Sequence, residues 1–323
     1  MRICLCRRGA TKIVELLHAE LPEDEILECS SEEVADFAQR VEVLVPLIAS
    51  VREKALASPR LRLVQQFGAG LDGVDVAAAS RHGIYVANVP SGETANADSV
   101  AELAILLMLA LARRWARAQE NLREHRVGAP VGTTLMGKTV TIVGFGGIGR
   151  RLAKRLRSFD VRVVAVSRRG GGGTDEGEAD RHVTVSALPE ALREADFIVV
   201  ATPLTDDIRG LIGSEALSCV KPGAFLINVA RGPVVDREAL LAALASGKLA
   251  GAGLDVFWEE PPDPLDPLFS LEVVATPHIG GATDRSLQEI TRAVAANIDR
   301  LRRGEPLRNC VNAASLHAKT PPT

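Results

Sequence analysis

Aromatic residues are scarce in this chain: one Tyr, two Trp and eight Phe make up 3% of its 323 residues. A core with so few rings must be built from Val, Leu, Ile and Ala, the composition of parallel sheets covered by helices on both faces. The five cysteines, Cys4, Cys6, Cys29, Cys219 and Cys310, are odd in number and form no CxxC pair. That pattern indicates neither a disulfide framework nor a metal site, so reduced thiols in a cytoplasmic protein are expected. Long apolar runs are missing as well. The longest, 103–112, falls far short of the roughly 20 residues a membrane helix needs, and the opening MRICLCRRGATK has no signal-peptide apolar core and reads as a first strand. Nor is one sign of charge in excess, with a net charge of -3 and a pI ≈ 6.1. No overall pull toward nucleic acid or an anionic membrane follows, and a small-molecule partner is expected.

What is present is an ordinary globular balance, 46% hydrophobic and 24% charged. At about 150 residues per domain this length predicts two domains. Short β-rich runs at 2–6, 41–48, 61–67 and 84–87 alternate with helical patterns, and a long helix-like segment, 95–124, follows. A second series of strands is expected at 139–143, 161–166, 197–201, 224–229, 251–256 and 273–276, and an amphipathic helix at 283–303. The alternation predicts an α/β fold of two doubly wound parallel-sheet domains, a flavodoxin-like one and a Rossmann one, with a cleft between them. The last helix is read as returning to the first domain, which then comprises 1–98 and 285–323, the second being 99–284. Segments 169–180, rich in Gly and acid, and 259–267, rich in Pro, read as loops. The apolar helix 95–124 suggests a homodimer surface, with burial inside its own domain as the alternative.

The sharpest local signal is a hydrophobic strand feeding Gly144-Phe-Gly146-Gly-Ile-Gly149 and then a helical pattern, 150–157. Gly144 permits a tight turn, Gly146 a close backbone approach to a pyrophosphate, and Gly149 close packing of helix on strand. An NAD site usually places an acid about 20 residues further on, to accept from the ribose 2′-OH. Here Ser167-Arg168-Arg169 stands at that place. A hydroxyl and two guanidiniums suit a 2′-phosphate, so NADP(H) is expected over NAD(H), which stays possible.

Three later segments bring polar groups to successive strand ends: Asn228-Val-Ala-Arg231-Gly232, Asp255-Val-Phe-Trp-Glu259-Glu260-Pro261 and Thr276-Pro277-His278-Ile-Gly280. With Gly68-Ala69-Gly70-Leu71-Asp72-Gly73-Val74-Asp75, Asn88-Val89-Pro90, Ser99-Val100-Ala101-Glu102 and the glycine loop, they span nearly the whole chain. The set resembles the D-isomer-specific 2-hydroxyacid dehydrogenase family, which includes glyoxylate/hydroxypyruvate reductases, and Arg231, Glu260 and His278 look like its catalytic triad. The chemistry fits those residue types. Reducing a 2-oxo acid needs a cation for the carboxylate and an acid for the developing alkoxide. Arg231 has the planar fork for the first. His278 can exchange protons near neutrality, and Glu260 against its ring would orient it and favour its charged form.

By the same resemblance, Gly68, Ala69 and Gly70 hold the substrate carboxylate beside Arg231 and His278. Gly147 and Ile148 lie on the pyrophosphate, Thr202 and Pro203 beside the adenosine, and Val100, Ala230, Asp255 and Gly280 around the nicotinamide. The first domain is then the substrate domain and the second the cofactor domain. The implied activity is reduction of a small 2-oxo acid to the D-2-hydroxy acid, glyoxylate or hydroxypyruvate being preferred. Phosphoglycerate dehydrogenase-like oxidation with NAD is one alternative, and a non-enzymatic, dinucleotide-sensing corepressor-like protein is the other. Formate dehydrogenases carry Gln in place of Glu260, and phosphite dehydrogenases a Lys in place of Ala69. The other histidines, His18, His82, His125, His182 and His317, lack such surroundings and read as surface or packing residues.

Overall fold

The computed structural model describes residues 1–170 and 178–317. Contacts divide the chain into two units, Met1–Asn96 with Asp284–Thr323, and Ala97–Thr283. The first holds strands β1 (Arg2–Leu5), β2 (Glu25–Glu28), β3 (Val43–Val45), β4 (Leu63–Gln65) and β5 (Tyr85–Ala87), all parallel in the order β2-β1-β3-β4-β5. The second holds β6 (Thr139–Val143), β7 (Arg162–Ser167), β8 (Arg181–Thr184), β9 (Phe197–Val200), β10 (Ala224–Asn228), β11 (Leu249–Leu254) and β12 (Val273–Ala275). These are parallel too, in the order β12-β11-β10-β9-β6-β7-β8. The expected α/β class with two doubly wound parallel sheets is what is found.

Both faces of each sheet are covered, which is why the inner strands read as unbroken apolar runs. In β1, Ile3 and Leu5 point to a core shared with Leu17 and with Ile290, Val294 and Ile298 of the helix Asp284–Arg303. Cys4 points to the opposite core, with Val34, Leu44 and Val64. The strands missing from the sequence reading, β2 and β8, lie at sheet edges, where Glu and Arg interrupt the apolar signal (EILE and RHVT).

The long helix expected over 95–124 is in fact two, Asn96–Ala112 and Trp115–Arg123, with Arg114 between them in the left-handed region at φ 49. The Ala112 carbonyl accepts the Thr133 N–H at 2.8 Å, so the later segment draws off the acceptor at the end of the first helix. That helix buries Val100, Ala104, Leu107, Met108 and Leu111 against the second unit's sheet, each large side chain contributing about 1.5–3 kcal/mol. Burial within its own unit therefore accounts for its inner face. Exposed apolar side chains lie elsewhere, at Leu106, Trp115, Leu122, Val127 and Val131. Of the loop expected at 169–180, residues 171–177 lie outside the described residues. Among the described residues no helix is long and apolar enough to cross a membrane.

Asp24 joins the two sequence-distant parts of the first unit. Its carboxylate, 2% exposed, accepts from the Met1 ammonium and from the Arg302 guanidinium at the end of the helix Asp284–Arg303. Burial alone would raise its pKa, but the bonds to the ammonium and to Arg302 outweigh burial and hold it below the ordinary value. A carboxyl lowered in the folded state stabilises at pH values above its unfolded value, about 3.9, and that contribution fades as pH falls through the folded value. Asp24→Asn is expected to cost about 1–3 kcal/mol at pH 7, and the gap to wild type should close as denaturant unfolding is followed down toward pH 3. A gap of constant size would show that charge is not the cause.

Candidate active site

In the second unit the strand order reverses between β6 and β9, and the loops leaving the carboxyl ends of these two strands form the switch point at which open α/β sheets bind ligands. Gly144 leaves β6 at φ 101, and a Cβ there would sit 2.7 Å from the Ala201 carbonyl and the Thr202 side chain. The turn is therefore closed to any residue but glycine. A Cβ on Gly149 would strike the Gly144 carbonyl, so the helix Gly147–Leu156 packs directly on the turn. At Gly146, by contrast, nothing lies within 4 Å of a Cβ position. The loop is tight where it packs and open where its backbone N–H groups and the helix N-terminus would meet a pyrophosphate, so these residues fit a dinucleotide.

Beyond β10, Asn228 organises the turn that carries Arg231. Its amide donates to the Arg231 carbonyl at 2.9 Å and its oxygen accepts the Ala230 N–H at 3.1 Å. Arg231 Nη1 donates to the Ala230 carbonyl at 2.7 Å. The next residue, Gly232, has no room for a Cβ, because Phe257 and Trp258 from the exit of β11 pass directly over it. Trp258 Nε1 completes the join by donating to the Val235 carbonyl at 2.7 Å. The segment with Glu260 is thereby clamped beside the segment with Arg231.

Beyond β12, the chain makes a turn held by Asp255. This carboxylate is 2% exposed and accepts from the Thr276 hydroxyl at 2.6 Å, the Ile279 N–H at 2.8 Å and the Gly280 N–H at 2.8 Å. The His278 N–H donates to the Asp255 carbonyl at 2.8 Å, and His278 itself takes the left-handed conformation, φ 55. So placed, its Nδ1 lies 2.6 Å from Glu260 Oε2, while Oε1 accepts the Phe257 N–H at 3.1 Å. The two side chains are 31% and 21% exposed, shielded but reachable. Burial pushes the Glu260 carboxyl up, yet the hydrogen bond and charge of His278, the Phe257 N–H and the charge of Arg231 bring it below its ordinary value. The three expected residues thus act on one another at a single sheet edge.

The other expected positions are placed as follows. Val100 and Leu103 flank Gly280, within 3.5 Å of where its Cβ would be. Thr202 lies against Gly144, and Ala230 is buried in the turn before Arg231. Ser167 ends β7, followed by the exposed Arg168 and Arg169, and the Arg168 charge helps lower Asp207. In the first unit, Gly68, Ala69 and Gly70 follow β4, with Val89 N–H donating to the Gly68 carbonyl at 2.8 Å and the Asn88 amide to that of Ala69 at 2.8 Å. Sequence reasoning missed the supporting roles of Asn228, Thr276 and Trp258, and the degree to which Asp255 is spent on the His278 turn. Polar residues at the ends of three consecutive strands were the available signal. His182, read as a surface or packing residue, packs edge-on against Phe145 of the glycine loop, ring centroids 5.1 Å apart.

The model of the D-isomer specific 2-hydroxyacid dehydrogenase NAD binding domain matches residues 105–280. A glyoxylate reductase of Pyrococcus furiosus is 37% identical, over 97% of this chain and 94% of that protein. Among solved structures, the TT0316 protein of Thermus thermophilus is similar with a TM-score of 0.83 at 31% identity, covering 96% of this chain and all 100% of that one. D-lactate dehydrogenase from Aquifex aeolicus, complexed with NAD and lactic acid, gives 0.82 at 26% identity, over 94% and 96% of the two chains. On the fold, the edge geometry and these likenesses, the chain belongs to the NAD(P)-dependent D-isomer-specific 2-hydroxyacid dehydrogenases.

Proposed function

We propose that this dehydrogenase reduces a small 2-oxo acid of the glyoxylate or hydroxypyruvate kind to the D-2-hydroxy acid, with NADPH as the preferred donor. The reading is carried by the 2.6 Å His278–Glu260 pair, set on the edge that also bears Arg231. Glyoxylate reductases among the relatives support the substrate class. Residues 1–98 with 285–323 serve as substrate domain and 99–284 as cofactor domain. The free thiols suit a reducing cytoplasm.

In this mechanism the Arg231 guanidinium takes the substrate carboxylate and carbonyl oxygen in its planar fork, and its charge favours negative charge growing on that oxygen. Bound nicotinamide supplies the hydride. Because Nδ1 of His278 is committed to Glu260, Nε2 is the atom that delivers the proton. Glu260, its carboxyl held below the ordinary value despite its burial, holds the ring in orientation. In oxidation the same atoms work in reverse. The N–H groups of Gly68, Ala69 and Gly70 serve a substrate carboxylate. Gly144, Gly146, Gly147, Ile148 and Gly149 serve the pyrophosphate. Val100, Ala230, Asp255 and Gly280 would hold the nicotinamide end, and Thr202 and Pro203 the adenosine end.

Ser167, Arg168 and Arg169 carry the cofactor preference: among the described residues a hydroxyl and two guanidiniums, not a carboxylate, stand at the end of β7 and suit a 2′-phosphate. The exposed apolar side chains Leu106, Trp115 and Leu122 support a homodimer.

His278→Ala is expected to lower kcat by roughly 10²- to 10⁴-fold while leaving the Kd for the dinucleotide in place; near-normal turnover on glyoxylate would remove His278 from the chemistry. Titration with both cofactors should find NADPH bound more tightly than NADH. The double change Arg168→Ala, Arg169→Ala should weaken NADPH by roughly tenfold to a hundredfold and leave NADH unmoved, whereas tighter NADH binding by wild type would defeat the assignment. Sedimentation analysis should find a dimer that Trp115→Glu with Leu122→Glu converts to monomers; an unaltered mass would place the contact elsewhere.

A further inference from the structure

Cys4 lies on β1 and Cys6 one residue beyond its end, two positions apart, so both side chains point to the same face of the sheet. The parallel register pairs Leu5 with Glu28, which sets Cys6 next to Cys29, the residue that follows β2. The backbone fixes this placement: the Cys29 N–H donates to the Leu5 carbonyl at 3.1 Å and the Cys6 N–H to the Val45 carbonyl at 2.9 Å. The three sulfurs lie within 4.8 Å of one another, in residues that are 0%, 1% and 0% exposed. Val34, Ala38 and Leu44 share their core. A lone core cysteine is a small inert hydrophobe, but three convergent sulfurs are a ligand set.

Ligand number and charge select the occupant. No fourth His, Cys, Asp or Glu joins the group among the described residues, whereas structural zinc sites use four protein ligands. Three thiolates leave two negative charges around a monovalent ion and one around a divalent ion. In a dry interior each uncompensated charge is costly, and the nearby Arg8 is already paired with Glu33 at 2.7 Å. Around a trivalent centre the three thiolates leave none. We propose that Cys4, Cys6 and Cys29 form a buried three-sulfur site for a trivalent thiophilic metalloid, of which arsenite is the probe.

Bonds to sulfur of about 2.3 Å separate three ligand sulfurs by at most about 4.0 Å, inside the 4.8 Å that already encloses them. The loading step is ligand exchange on As(OH)3. Three As–O and three S–H bonds break, three As–S and three O–H bonds form, three waters leave, and no electrons change hands. The exposed Arg7, Arg8 and Gly9 directly follow Cys6, so local opening of that connection admits the ion.

The test uses the full chain, reduced and incubated with excess arsenite, then freed of unbound arsenic. Elemental analysis should find one arsenic per chain, and three of the five thiols should no longer titrate with a chromogenic disulfide. Arsenic X-ray absorption should show sulfur neighbours only. Uptake should be lost in Cys4→Ala, Cys6→Ala and Cys29→Ala, each checked for folding by circular dichroism, and kept in Cys219→Ala with Cys310→Ala. Uptake that survives Cys29→Ala, or no uptake by a wild type whose five thiols all titrate as reduced once a sample is unfolded in denaturant, overturns the proposal. Should the alanine variants not fold, thiol titration and the absorption spectrum of the wild type decide the matter alone.

Discussion

The Asp255 carboxylate holds the working end of this enzyme in place. It is buried, and its two oxygens take three donors from the turn between β12 and the helix Asp284–Arg303. That turn needs such support because His278 occupies the left-handed region, a conformation that costs a non-glycine residue of order 1–3 kcal/mol. Hydrogen bonds to an ionised acceptor contribute about 1.5–3 kcal/mol each, enough to offset the strain. Glu260 is fixed from the same strand exit, five residues further along, by the Phe257 N–H. Both halves of the His–Glu pair thus refer back to β11, and their 2.6 Å separation does not depend on a freely moving loop.

Electrostatics and packing reinforce each other there. Desolvation raises the pKa of a half-buried carboxyl, and Glu260 nevertheless lies below its ordinary value because His278, a backbone N–H and Arg231 together outweigh that burial. Arg231 is near enough to exert that charge because Gly232 lets Phe257 and Trp258 cross directly above it. A side chain at position 232 would push the β10 and β11 exits apart and separate the two charges. The missing Cβ is therefore an electrostatic device as much as a steric one. Glu260 thus feels both His278 and Arg231.

Much of this was readable from the chain. Strands rich in apolar residues announce themselves as apolar runs, so β1, β3 to β7 and β9 to β12 were found, with ends misplaced by up to three residues. The edge strands β2 and β8 were hidden by their charged residues. The break at Arg114 was hidden for another reason: it answers to a hydrogen bond between Ala112 and Thr133, which no local periodicity encodes. For the site, Arg231, Glu260 and His278 were legible as polar residues after successive strands. Asp255 was read as a neighbour of the nicotinamide; its service to the His278 turn was not legible, because it depends on β11 and β12 lying side by side in register.

Parallel register is also what brings three sulfurs together. Read along the chain, Cys4, Cys6 and Cys29 are scattered; read across β1 and β2, they are neighbours. The same rule operates at Gly144 and Thr202 after β6 and β9, and again at Arg231, Glu260 and His278 after β10, β11 and β12. Aligned strands deliver the residues that follow them to a common edge, whatever their separation in sequence. What differs is access to water. The imidazole and carboxylate are partly exposed, while the sulfurs are fully buried. Charge must therefore balance inside the thiol cluster itself, whereas water can screen the partly exposed His–Glu pair.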